Sequence, residues 1–224
     1  MTVLVIQPDE TASQDTFIQQ SYPTAAYDTI NQLAFRNWLS TYEAIIPLVK
    51  FPLTNLPSGA IISAASLAIT LAQAAQRTTS PTWRRILPAN SGWVEGATWN
   101  HANPTTSLVW AGDTGGDGGQ DAGCRVSGVD ISDTPIGSFN MTAGDAIGTV
   151  YTANLDLTEF GYMIANNCGF LLAYAAGAAE QAHSSKATTP SNRPVLTVTY
   201  TEAGGLHRIN MNAQMQSLNG GMHG

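Results

Sequence analysis

Charge is scarce in this sequence. Only 11% of its 224 residues are Asp, Glu, Lys or Arg, against roughly a quarter in an ordinary soluble domain. Ala, Ser, Thr, Asn, Gln and Gly fill the deficit, so the surface is expected to be polar but nearly uncharged. Positive charge is scarcer still, with nine basic residues against sixteen acidic ones and a net charge of -7. No Lys/Arg cluster exists to track a phosphate backbone, which argues against nucleic acid as a partner. Cysteine is limited to Cys124 and Cys168, each beside a glycine. Two thiols define neither a disulfide framework nor a zinc site, and whether they are bridged stays open here.

Long apolar runs are also missing. Phe51 to Gln76 is uncharged, and Gly59 to Ala75 approaches the roughly 17 residues that cross a bilayer. Pro52 and Pro57 interrupt the start, while Ser58, Ser63, Ser66, Thr70 and Gln73 dilute its hydrophobicity, so no membrane helix is expected. Met1 to Ile6 lacks the basic and then apolar composition of a secretion leader.

The usual catalytic spacings are absent as well: no H-E-x-x-H, G-x-S-x-G or G-x-x-x-x-G-K occurs. His101, His183, His207 and His223 are scattered, and histidines so placed are read as solvated. Asp113, Asp117 and Asp121 recur every fourth residue within the Gly-rich segment Gly112 to Gly123. Calcium favours several oxygens on a glycine-supported loop, yet this spacing is not that of an EF-hand, so the loop is read as solvated, with the three aspartates a weak calcium candidate. No cofactor and no enzymatic activity are expected.

What is present is strand patterning. Leu67, Ile69 and Leu71 alternate with Ala68 and Thr70; Leu196, Val198 and Tyr200 alternate with Thr197 and Thr199; Ile45 to Phe51 is a short apolar run. Turn signals punctuate these runs, among them Leu56-Pro57-Ser58-Gly59, Ala89-Asn90-Ser91-Gly92 and Ser191-Asn192-Arg193-Pro194. Ala60 to Gln76 is ambiguous, because its Ala, Leu and Gln favour a helix. Gly59 ahead of it and the β-branched Ile61, Ile62, Ile69 and Thr70 favour a strand over its first half. One short helix is expected near 156–165: Asp156 and Glu159 have capping-box spacing, Leu157, Phe160 and Ile164 share a face, and Asn166-Asn167 with Gly169 end it.

The pattern predicts an all-β antiparallel sandwich with long loops, with an N-terminal arm or strand over 1–14, the sandwich over 15–201 and a C-terminal tail over 202–224. The arm Thr2 to Ile6 suits a strand added to its own sheet or to a neighbour's.

Several ordered blocks carry a resemblance. Asp15-Thr16-Phe17-Ile18 is followed by Tyr22-Pro23-Thr24 and Tyr27. Leu48-Val49-Lys50-Phe51-Pro52-Leu53 leads through Leu56-Pro57-Ser58-Gly59-Ala60-Ile61-Ile62 to Leu67. Then come Trp93-Val94-Glu95-Gly96-Ala97-Thr98-Trp99-Asn100, Val109-Trp110, Asp156-Leu157-Thr158, Asn167-Cys168-Gly169-Phe170, and Arg193-Pro194-Val195-Leu196. In this order, over roughly residues 15 to 200, they resemble the DNRLRE-type domains, carbohydrate-binding-module-like β-sandwiches of secreted microbial proteins and phage structural proteins. The hexapeptide naming that family is absent, and the loop after Trp110 is unusually Gly-rich. The resemblance implies a jelly-roll-like sandwich, a strand at Ala60 to Leu71, and core positions for Trp93 and Trp99.

Two functional classes follow. One is a carbohydrate-binding or adhesin-like module recognising a host surface glycan, with Trp38 and Tyr42 the candidate exposed aromatics, since a pyranose stacks on a ring. The preferred class is a virion structural protein, a phage capsid-surface decoration subunit at the virion surface, contacting the major capsid protein or neighbouring subunits as a homo-oligomer. A trimer is expected by analogy only. The sequence shows no secretion signal and no catalytic domain of the kind to which a sugar-binding module is normally appended. Its tail also carries Leu206, Ile209, Met211, Met215, Leu218 and Met222, apolar anchors that suit a neighbour's groove, or else fold back on their own domain.

Overall fold

A computed structural model of the chain describes residues 1–7, 9, 11–40, 43–114 and 123–202. Within them the chain forms β1 (Thr2–Ile6), β2 (Gln14–Gln19), β3 (Gln32–Phe35), β4 (Ile45–Lys50), β5 (Ile61–Thr70), β6 (Thr82–Arg85), β7 (His101–Asn103), β8 (Leu108–Val109), β9 (Gly137–Ser138), β10 (Val150–Asn154), α1 (Leu157–Ala165), β11 (Phe170–Ala173), β12 (Glu180–His183) and β13 (Val195–Thr201). Sheet 1 runs β1-β13-β5-β10 and sheet 2 runs β2-β4-β11-β6-β9, with β12-β3 and β7-β8 as separate pairs. Every paired strand is antiparallel. The chain crosses between sheets at β1–β2, β4–β5, β5–β6, β9–β10 and β10–β11 and returns to sheet 1 at β13, which makes it an all-β sandwich of jelly-roll-like character.

The ambiguous apolar segment is β5. Its alternation sets Leu67 and Ile69 inward, opposite Leu196 of β13 and Tyr151 of β10 respectively. Sheet 2 answers with Val49, Trp83, Phe170 and Leu172, where Phe170 meets Phe51 and Trp83 edge-on at 6.2 and 6.3 Å. Each such side chain contributes about 1.5–3 kcal/mol by leaving water.

A second core lies on the other face of sheet 2. Ile18, Ile46, Leu48 and Leu171 point into it, and Trp93, Trp99, Trp110, Ile86 and Ile131 roof it. Strands β4 and β11 are therefore buried on both faces, which is why they read as unbroken apolar runs rather than alternating ones. A buried tryptophan N–H usually finds a partner, although that of Trp83 has none among the described residues. Trp93 Nε1 donates to the Cys168 carbonyl at 2.6 Å, and Trp110 Nε1 to the Thr98 carbonyl at 3.0 Å.

The helix starts where its cap predicts, with Asp156 Oδ1 accepting from the Glu159 amide at 2.9 Å. Only half of the capping box forms. The Glu159 carboxylate instead takes Arg85 Nε of β6 at 2.7 Å, and the Asp156 amide donates to the Ile136 carbonyl. The buried face also differs from expectation: Phe160 and Met163 are buried with Ile164 beside them, whereas Leu157 is exposed. As the first helical residue, Leu157 leans back past the helix end, beyond the core. The N-terminal segment is no separate arm, because β1 is hydrogen-bonded into sheet 1 and Ile6 belongs to the core between the sheets.

Candidate assembly surface

Strands β1, β5, β10 and β13 contain no Asp, Glu, Lys, Arg or His. Their register fixes what faces outward. Val3 and Val5 of β1 lie beside Thr199 and Thr197 of β13, which lie beside Ala64 and Ser66 of β5, and Ser66 and Ala68 lie beside Asn154 and Thr152 of β10. The result is a flat face of small aliphatic and hydroxyl groups on a molecule of net charge -7. A surface of that kind can be desolvated without stripping ions of their water, since charged groups are the costly ones to bury.

The two edges of this sheet differ. At β10 the chain of β9 closes in, and a Cβ on Gly137 would sit 2.7 Å from the Asn154 carbonyl oxygen, so only glycine fits there. At the opposite edge, β1 pairs with β13 alone, and the residues Thr2 to Ile6 make no further backbone bond among the described residues. Val3 and Val5 are each 60% exposed.

The Trp38 ring, the candidate sugar platform, is half-buried against the second core, with the Arg84 guanidinium 5.6 Å from its centroid. Tyr42 lies outside the described residues, as do Asp117 and Asp121, the tail anchors Leu206, Ile209, Met211, Met215, Leu218 and Met222, and His207 and His223. Asp113 is buried. No group of three or more His, Cys, Asp or Glu side chains able to hold a metal ion occurs among the described residues. His101 and His183 are half-buried, and burial lowers the His183 pKa. Cys124 and Cys168 are buried free thiols. Burial raises both pKa values, with the Asp130 charge adding to the effect at Cys124.

Three buried carboxylates escaped the sequence reading, and all three organise loops. Asp130, fully buried, accepts from the amides of Gly112 (2.8 Å), Arg125 (3.1 Å) and Val126 (2.9 Å) and from Asn90 Nδ2 (2.9 Å). Asn90 Oδ1 in turn accepts from the Ala111 amide at 2.8 Å. This knot closes both ends of the Gly-rich loop, and Gly112 is glycine because a Cβ there would lie 2.3 Å from Asp130 Oδ2. Asp15 accepts from the amide and hydroxyl of Ser185 and from Lys186 Nζ, which also pairs with Glu95. Glu180 accepts from the Gln76 amide and the Tyr174 hydroxyl. Signals for these roles were slight, since a lone Asp in a turn reads as solvated unless its distant donors are known.

Compared with sequence models of protein families and with curated proteins, the chain matches none of them.

Proposed function

We propose that this protein is a non-enzymatic structural subunit of a virus particle, a capsid-surface or decoration protein of a bacteriophage, which attaches to neighbouring virion subunits through sheet 1 and its tail. The observation that carries the reading is the outward face of sheet 1: four strands without one Asp, Glu, Lys, Arg or His, on a chain whose acids outnumber its bases sixteen to nine. Contact surfaces are depleted in charge at their centre. Under this reading the tail beyond Glu202 supplies Leu206, Ile209, Met211, Met215, Leu218 and Met222 as anchors on the neighbour.

The test is incorporation. The native protein should co-sediment with a large particle, and Thr197→Lys/Thr199→Lys, which places two cations on the centre of the outward face, should stay folded yet lose occupancy. Deleting residues 203–224 should also abolish incorporation. A native protein that sediments alone, or full occupancy by both variants, would refute the proposal. The carbohydrate-module reading is weakened at Trp38, whose ring is half-buried with the Arg84 guanidinium over it.

A further inference from the structure

An exposed sheet edge presents a row of unpaired N–H and C=O groups, and a free protein normally blunts it with lysine, proline, a bulge or a covering loop. Strand β1, Thr-Val-Leu-Val-Ile, has none of these within it. The one irregularity near it lies a strand away, between Thr199 and Tyr200 in the pairing of β13 with β5. Among the described residues this edge is open, and an open edge of this composition suits another strand.

We propose that the strand it receives is β1 of a second copy of this chain, paired antiparallel across a two-fold axis so that two four-stranded sheets become one continuous sheet. Two observations select a second copy. With a net charge of -7, two copies repel wherever their acids face each other, and the four strands of sheet 1 carry no charge at all. The strand is also complementary to itself, and its register follows from its faces. Val3 and Val5 point outward while Leu4 and Ile6 point toward the core. Directly opposed residues in an antiparallel pair share a face. Keeping both cores on one side and overlapping all five residues therefore sets Leu4 against Leu4, Val3 against Val5 and Thr2 against Ile6 of the second copy. Leu4, half-buried in one chain, is then covered by its counterpart. The contact is isologous and closes as a dimer, in place of the trimer expected by analogy. A ladder of five pairs is small beside the ~1,200–2,000 Å² of a standard stable interface, so micromolar strength is expected.

The assignment rests on sheet 1 being the assembly surface and adds its partner. It is tested on the purified full chain by light scattering after gel filtration, from about 1 to 100 μM, concentrations spanning the expected dissociation constant. The wild-type mass should rise toward two chains. Val3→Lys/Val5→Lys, which opposes like charges twice across the axis, should weaken association at least about tenfold. Val3→Lys/Val5→Glu, which opposes unlike charges at the same two places, should restore it and serves as the folding control. A single-chain mass for the wild type at every concentration, or an undiminished dimer from the Lys/Lys variant, overturns the proposal. Particle incorporation measured in parallel separates the two readings. A monomeric Lys/Lys variant that still enters particles supports the dimer while denying it a part in attachment, and a wild-type dimer absent from every particle refutes the virion reading alone.

Discussion

Replacing Asp130 by Asn changes almost no volume but removes one of two acceptor oxygens. In the native chain Oδ1 serves the Gly112 amide and Asn90 Nδ2, while Oδ2 serves the amides of Arg125 and Val126. Either orientation of the new amide points its NH₂ at two donors and leaves both without an acceptor in a fully buried site. Each unpaired buried donor costs about 1–3 kcal/mol, so a loss of about 3–4 kcal/mol is expected. That is a large part of the 5–15 kcal/mol typical of a whole domain. At about 2–4 °C per kcal/mol for a chain of this size, the thermal midpoint should fall by about 6–16 °C. Urea unfolding should show the midpoint shifting with the slope unchanged, which separates lost stability from a change in the unfolded state. A loss below about 1 kcal/mol would refute the reasoning, since it would mean that these amides find other partners when the carboxylate is gone.

Other consequences are as direct. Trp38→Ala should cost about 1–2 kcal/mol in the same assay, because a half-buried ring against the second core and under Arg84 is removed; an unchanged midpoint would return Trp38 to the list of free aromatic faces. The hydroxyls of Tyr151 and Tyr174 have pKa values raised by burial and by Asp145 and Glu180 respectively. A raised folded pKa gives stability that is complete below the unfolded value of about 10 and is lost as pH climbs toward the folded value. Stability should therefore decline above about pH 10, and Tyr151→Phe and Tyr174→Phe should each flatten that decline in urea titrations; an unaltered slope would contradict the cause given. Cys124 and Cys168, buried with raised pKa values, should resist a thiol reagent in the folded protein and react after unfolding. Fast native labelling would count against their burial.

The parts of the fold legible in the sequence were those governed by period two. Leu196, Val198 and Tyr200 face the core at alternate positions, and the β-branched residues of β5 outweighed its helix-favouring alanines. The Asp156 cap was legible because it is local, four residues acting on one another. Its reciprocal half was not, because Glu159 answers Arg85, some seventy positions earlier in the chain. The second core was legible in the core positions that the resemblance implied for Trp93 and Trp99 and in the apolar run Ile45 to Phe51, whose meaning depends on what covers its outer face. The surroundings of Trp38 were hidden for the same reason, since the guanidinium over its ring comes from the distant Arg84. The candidate surface was the most hidden. Absence of charge along four strands can be read from the chain, but that they form one sheet with one open edge cannot.

Salt gives an independent probe of that edge. Two folded chains of this length have centres about 44 Å apart when their edges meet, taking a compact body's radius as about 1.3 times its radius of gyration. With -7 on each, the repulsion in water is about 5 kcal/mol unscreened, about 1 at 0.01 M salt, where the screening length is about 30 Å, and close to zero at 0.15 M. Pairing through an uncharged edge has no attractive ion pairs for salt to weaken. Its dissociation constant should therefore tighten by about fivefold between 0.01 and 0.15 M, then change little. An interface built on Lys or Arg meeting Asp or Glu would respond in the opposite sense, so association that weakens with salt would show that the copies meet somewhere other than β1.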